Sequence, residues 1–372
     1  LEAPEVTEVS IVSNNPDTST AKAGESVTLT FTTNEPVQDL DTNRITVSGL
    51  ADLSFTSLND NKTRWQVTGM VDADAVSGLG GGGGTGSAAF SIKVLDTAGN
   101  AGNTVTATTD QTSVALDVMA PQLTVVTLTS NNDNTSLAKS GDRVTLSFTA
   151  DEPLQTPTSD DVTITGLGDL SFTKLDDDGK SWQATGTVSN TANGNATFSI
   201  TVLDTAGNRG SPKTTTTDSS LVKLDTTAPE LSNLALRSSN ANNSFALAKS
   251  GDNLTLSFSS NEAIAKPTVT LAGSPATVRD TSGGNRTTWQ ATRPVLSSDS
   301  EGVVGFSIAF SDLLGNAGAS VSSSDSALSF NEIRIDLTGP QVVTSSVTLA
   351  SSNTNPAAEG VKWAKSGETI TL

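Results

Sequence analysis

Any chemistry in this chain is done without histidine or cysteine, since neither occurs among its 372 residues. That removes the usual general base, the commonest metal ligand, any thiol nucleophile and any disulfide framework. Carboxylate is what remains: 40 Asp and Glu stand against 21 Lys and Arg, a formal net charge of −19. Six of these acids occupy matching places, Asp117, Glu152 and Asp204 in one set and Asp225, Glu262 and Asp312 in the other. Hard oxygen donors of this kind suit Ca²⁺, which takes about six to eight of them. Paired carboxylates also serve glycoside hydrolysis. Here, however, they sit at repeated turn positions, and no Ser has a His or Lys context that marks a nucleophile. We therefore expect no enzyme and no catalytic residue.

The elements that must position these acids come from a repeat. Pro4, Pro121, Pro229 and Pro340 follow Ala, Ala, Ala and Gly, at intervals of 117, 108 and 111 residues. Lys-Ala/Ser-Gly-Glu/Asp starts at Lys22, Lys139, Lys249 and Lys365 on the same beat. Tryptophan recurs at Trp65, Trp182 and Trp289, and Asp-x-x-Gly-Asn spans 96–100, 204–208 and 312–316. The expected repeats are 1–118, 119–226 and 227–337, with an incomplete fourth at 338–372.

Within each repeat apolar and polar residues alternate, the mark of strands with one buried face. Val27, Leu29 and Phe31 are answered by Val144, Leu146 and Phe148, and then by Leu254, Leu256 and Phe258. Helical spacing is nowhere sustained. About seven such strands per repeat, punctuated by Gly, Asn, Asp and Pro, predict an all-β chain of tandem immunoglobulin-like antiparallel β-sandwiches arranged end to end. Alternation puts each Trp on the core side, without a disulfide beside it.

From Trp65 to Asp96 is 31 residues, against 22 and 23 in the next two repeats, so the first repeat carries an insertion at 78–86 that contains Gly80 to Gly84. Such a run reads as a flexible loop. The two strands of the fourth repeat cannot close a sandwich. The expectation is that the natural chain continues, with donor strands from another molecule as the alternative.

In a sandwich of this type the loop after the second strand and the loop between the last two strands share one pole. That geometry carries Glu152 and Asp204 toward Asp117, and Glu262 and Asp312 toward Asp225. Backbone carbonyls, water or the Asn131 to Asn134 loop are expected to complete a Ca²⁺ shell. The competing reading is that the Asp and Gly of each Asp-x-x-Gly-Asn simply build a turn.

The segments Leu137 to Pro153, Asp204 to Asn208 and Leu224 to Pro229 resemble the bacterial Ig-like repeats of large cell-surface adhesins and related secreted proteins. The resemblance covers the whole chain. It implies an extracellular or cell-surface location and a structural role as stalk, extender or filament segment. Its expected partners are neighbouring repeats, a self-assembled filament or a cell-surface ligand. A glycan-binding module array, with the Gly80 to Gly84 insertion as its site, or accessory domains of a secreted enzyme are the alternatives. The acidic balance argues against nucleic acid as a partner, and no apolar run is long enough for membrane insertion.

Overall fold

The computed structural model describes residues 2–79, 84–241, 246–325, 332–354 and 363–372. The chain forms two compact units, Leu1–Thr227 and Ala228–Leu372. The first holds two sandwiches. In the first sandwich the strands are β1 (Val6–Ser13), β2 (Thr20–Ala21), β3 (Ser26–Thr33), β4 (Ile45–Val47), β5 (Leu50–Ser57), β6 (Arg64–Val71), β7 (Thr85–Ser87), β8 (Phe90–Ile92) and β9 (Ala115–Asp117).

One sheet runs in the order β1-β3-β6-β5. Opposite it, β4 pairs with β8, Ile92 bridges Val105, and β9 pairs antiparallel with β7 and parallel with the short β2. A first strand that begins in one sheet and finishes beside the last strand of the other is immunoglobulin topology. In the second sandwich Leu123–Ser130, Arg143–Ala150, Ser181–Val188 and Leu167–Lys174 repeat the four-stranded order. Leu137–Ala138 again runs parallel to the last strand, Lys223–Leu224.

Strict alternation builds the core. Val27, Leu29 and Phe31 are buried on β3, where Leu29 faces Val67 and Phe31 faces Trp65 on β6. Removing each such side chain from water is worth about 1.5–3 kcal/mol. The tryptophans are core residues, with Trp65, Trp182 and Trp289 at 3%, 6% and 5% exposure. Each indole N–H donates to the carbonyl three residues earlier, those of Lys62, Gly179 and Arg286, at 2.9–3.1 Å. Those three residues all take positive φ at the tip of the preceding hairpin. Packing and the ring's one polar atom are thus satisfied together, without a disulfide.

The second unit contains the third sandwich, in which Leu231–Ser238, Asn253–Ser260, Thr288–Pro294 and Thr277–Asp280 form the matching sheet. Its core runs from Leu236 to Ile335. From 338 onward the described residues contribute nothing to a core: Leu349, Trp363 and Ile370 are exposed, and Ala350–Ser351 pairs only with Ile370–Thr371.

Two features depart from the sequence reading. A one-turn helix, α1 (Ala73–Ser77), leads into the first-repeat insertion; its N-cap Asp72 accepts the Ala75 N–H at 2.8 Å and it buries Val76. It is too short to show periodicity, which is why spacing gave no sign of it. Of the glycine run, 80–83 lie outside the described residues, and Gly84 takes positive φ against Met119.

The other feature is a glycine two residues beyond each Asp-x-x-Gly-Asn. A Cβ on Gly102 would collide with the Pro4 carbonyl oxygen, and on Gly210 or Gly318 it would stand 2.9 or 2.8 Å from that of Pro121 or Pro229. The recurring Ala-Pro therefore lies directly on the turn that ends its own repeat. Gly102→Ala is expected to cost about 1–3 kcal/mol by overpacking, read as a lowered urea midpoint with an unchanged slope.

Candidate functional site

Three loops meet where the first sandwich ends and the second begins. Asp117 is the last residue of β9, Glu152 follows the strand Arg143–Ala150 by two residues, and Asp204 opens the 204–208 turn. One carboxylate oxygen from each lies within 4.8 Å of the others. Asp204 is fully buried, while Asp117 and Glu152 are half-buried.

The 204–208 turn is self-contained. Asp204 accepts the Asn208 N–H on one carboxylate oxygen and the Asn208 amide on the other, both at 2.8 Å. Gly207 closes it with φ +90°. The same turn forms at Asp96 and Asp312, each accepting the backbone N–H of Asn100 or Asn316 at 2.8 Å. In the third repeat it survives Leu313-Leu314 in place of Thr-Ala. The turn therefore forms at all three Asp-x-x-Gly-Asn motifs. The convergence at Asp117 is an addition to that turn: the Asn208 side-chain amide also donates to the Asp117 backbone carbonyl at 3.0 Å.

Electrostatically the trio is frustrated. Burial pushes the Glu152 carboxyl up to about 7, and the charges of Asp117, Asp204 and Asp151 add to the rise against an opposing Lys180. Asp117 is also raised, by burial first and then by Asp204, although the Met119 N–H bonded to its carboxylate at 3.0 Å pulls the other way. At the comparable turn in the first repeat, Asn100 holds the Asp96 carboxyl below its ordinary value. Three close carboxylates in a half-buried cleft keep their charge only at a cost, which a proton or a hard cation relieves.

Asp225 belongs to the first unit, where its carboxylate accepts the Thr227 N–H at 3.1 Å. Glu262 and Asp312 belong to the second, with Asp312 buried in its own turn. The Asn131 to Asn134 loop is not part of the first trio's surroundings. It lies at the far end of the eight-residue strand Leu123–Ser130, about 25 Å away by strand rise. Its side chains cap their own loop, Asn131 accepting the Arg143 N–H and Asn134 the Ser136 hydroxyl, both at 2.7 Å.

No family model and no curated protein matches this sequence. Solved structures do. The I9–I11 tandem of titin is 11% identical, covers 86% of this chain and 95% of its own, and aligns with a TM-score of 0.28. The tetra-tandem repeat in the extending region of a large adhesion protein is 18% identical over 88% of this chain and 74% of its own, at 0.25. The ectodomain of mouse nectin-like molecule 4 is 12% identical over 85% and 94%, at 0.24. The immunoglobulin-like assignment rests on strand order and register. Among the described residues no helix is long and apolar enough to cross a membrane.

Proposed function

We propose that this chain is a segment of an extracellular structural array of the bacterial adhesin type, a stalk or extender without a catalytic step, whose first joint binds Ca²⁺. The observation that carries the reading is the meeting of Asp117, Glu152 and Asp204, drawn from two successive repeats, with donor oxygens within 4.8 Å. The donor set fits the ion: all three are hard carboxylate oxygens, and no described donor bonds the Glu152 carboxylate. Asp117, Glu152 and Asp204 would hold the metal, with water or backbone carbonyls completing the shell. The ion would supply charge neutralisation between two domains, which favours one mutual orientation over many. The motifs at Leu137 to Pro153 and Leu224 to Pro229 support the adhesin-type assignment, and the recurrence of the same polar residues suits a scaffold better than a single unique site.

Titration calorimetry tests it on the full chain. Millimolar Ca²⁺ is expected to give saturable heat that the Glu152→Gln, Asp204→Asn double variant loses in part; no heat in the parent chain would remove the calcium reading.

A further inference from the structure

A second link between the first two repeats uses no carboxylate of the trio. The Lys22 ammonium donates to the Gly207 carbonyl at 2.7 Å, and the buried Asn15 amide donates to the Ala206 carbonyl at 2.9 Å. Both donors are held in place by Glu25. Its carboxylate accepts the Asn15 amide at 2.9 and 3.1 Å and the Lys22 backbone N–H at 3.0 Å. The acceptors are two successive backbone carbonyls of the turn that Gly207 closes with positive φ. The contact therefore reads turn shape and not side-chain identity.

The same hardware recurs. Asn132 and the Lys139 N–H reach Asp142 at 2.9 Å, and Asn240 and the Lys249 N–H reach Asp252 at 2.8 Å. The acceptor half recurs too, since 97–99 is Thr-Ala-Gly in the same turn as 205–207. In the first repeat Ala98 and Gly99 are exposed, and no described donor reaches their carbonyls.

We propose that Asn15 and Lys22, both anchored on Glu25, form a docking clasp whose partner is the Ala206-Gly207 carbonyl arc of the second repeat, a metal-independent lock beside the carboxylate cluster. Charge-assisted bonds to carbonyls in a partly dry seam are among the stronger neutral-acceptor contacts. The lock works whether or not the trio holds an ion, so it is tested in excess chelator.

Amide hydrogen exchange on this 372-residue chain is the measurement, because it holds two turns of one sequence, Asp-Thr-Ala-Gly-Asn at 96–100 and 204–208, and among the described residues only the latter receives the Asn15 and Lys22 donors. Peptides over 203–210 are expected to exchange about tenfold more slowly than those over 95–102. Lys22→Met is expected to remove most of that difference and Lys22→Arg to restore part of it, with peptides over 26–33 unchanged as evidence that the first repeat stays folded. Equal exchange of the two turns in the parent chain, or protection of 203–210 that survives both Lys22→Met and Asn15→Ala, would overturn the proposal.

Discussion

Arg293→Ala is expected to destabilise the third sandwich by about 3–5 kcal/mol, the cost of leaving a buried charge without its partner. Arg293 and Asp299 are each 8% exposed in their side chains. Their fork is two-pronged, with Nη1 to Oδ2 at 2.9 Å and Nη2 to Oδ1 at 2.5 Å, and Asp299 also accepts the Leu296 N–H at 2.9 Å. Asp299→Asn should cost nearly as much. Arg293→Met combined with Asp299→Leu should recover most of the loss, because a buried pair replaced as a pair by apolar groups is often neutral.

The pH dependence has a definite sign. Arg293 first, and then the Leu296 N–H, hold the Asp299 carboxyl below its unfolded value of 3.8. The stabilisation is therefore fully present above about pH 4 and is lost as pH falls through the lower folded value. Urea midpoints at pH 7 and pH 3 check both statements. A loss under 1 kcal/mol for Arg293→Ala would mean that the site rehydrates instead of holding a bare Asp299.

That pair also marks where the sequence stops being readable. Two-residue alternation shows which face of each strand is buried, and it places Trp65, Trp182 and Trp289 inward because burial of a period-two face is a local property. Arg293 stands on that same inward face, four residues after Trp289, where the first two repeats have Gly69 and Gly186 under Leu53 and Leu170. A lone Arg in a Thr-rich strand reads as solvated. Its partner comes from the loop that follows, and pairing across a loop leaves no periodic trace.

The carboxylate trio was legible for a different reason. Immunoglobulin topology puts the loops carrying Glu152 and Asp204 at one pole, so position followed once the fold was assigned. Lys22 was legible only as part of a repeated turn and Asn15 not at all, since their partners lie 185 and 191 residues away. Gly102, Gly210 and Gly318 did carry a signal, recurrence at a fixed offset from each Asn. Its cause, a proline carbonyl roughly a hundred residues upstream, is tertiary.

Calcium is expected to invert the pH dependence of the first unit. Without a cation the folded state holds the Glu152 carboxyl at about 7 against an ordinary 4.5, so the unfolded chain gives up its proton first. The contribution of this group is then fully present below about pH 4.5 and is lost as pH rises through about 7, so in chelator the unit should melt lower at pH 8 than at pH 5. Glu152→Gln should abolish that fall by removing a charge repelled by Asp117 and Asp204. With Ca²⁺ present, ionised Glu152 becomes a ligand, and affinity should rise across the same interval because proton and metal compete for one carboxylate. At a hundredfold excess over Kd the ion adds about 2.7 kcal/mol, a rise of roughly 5–10 °C in the midpoint of a unit this size. The charge-neutral variant would thus outlast the parent chain in chelator and fall behind it in calcium. That crossing separates a metal site from a turn, since a trio that serves only the turn would gain from Glu152→Gln under both conditions.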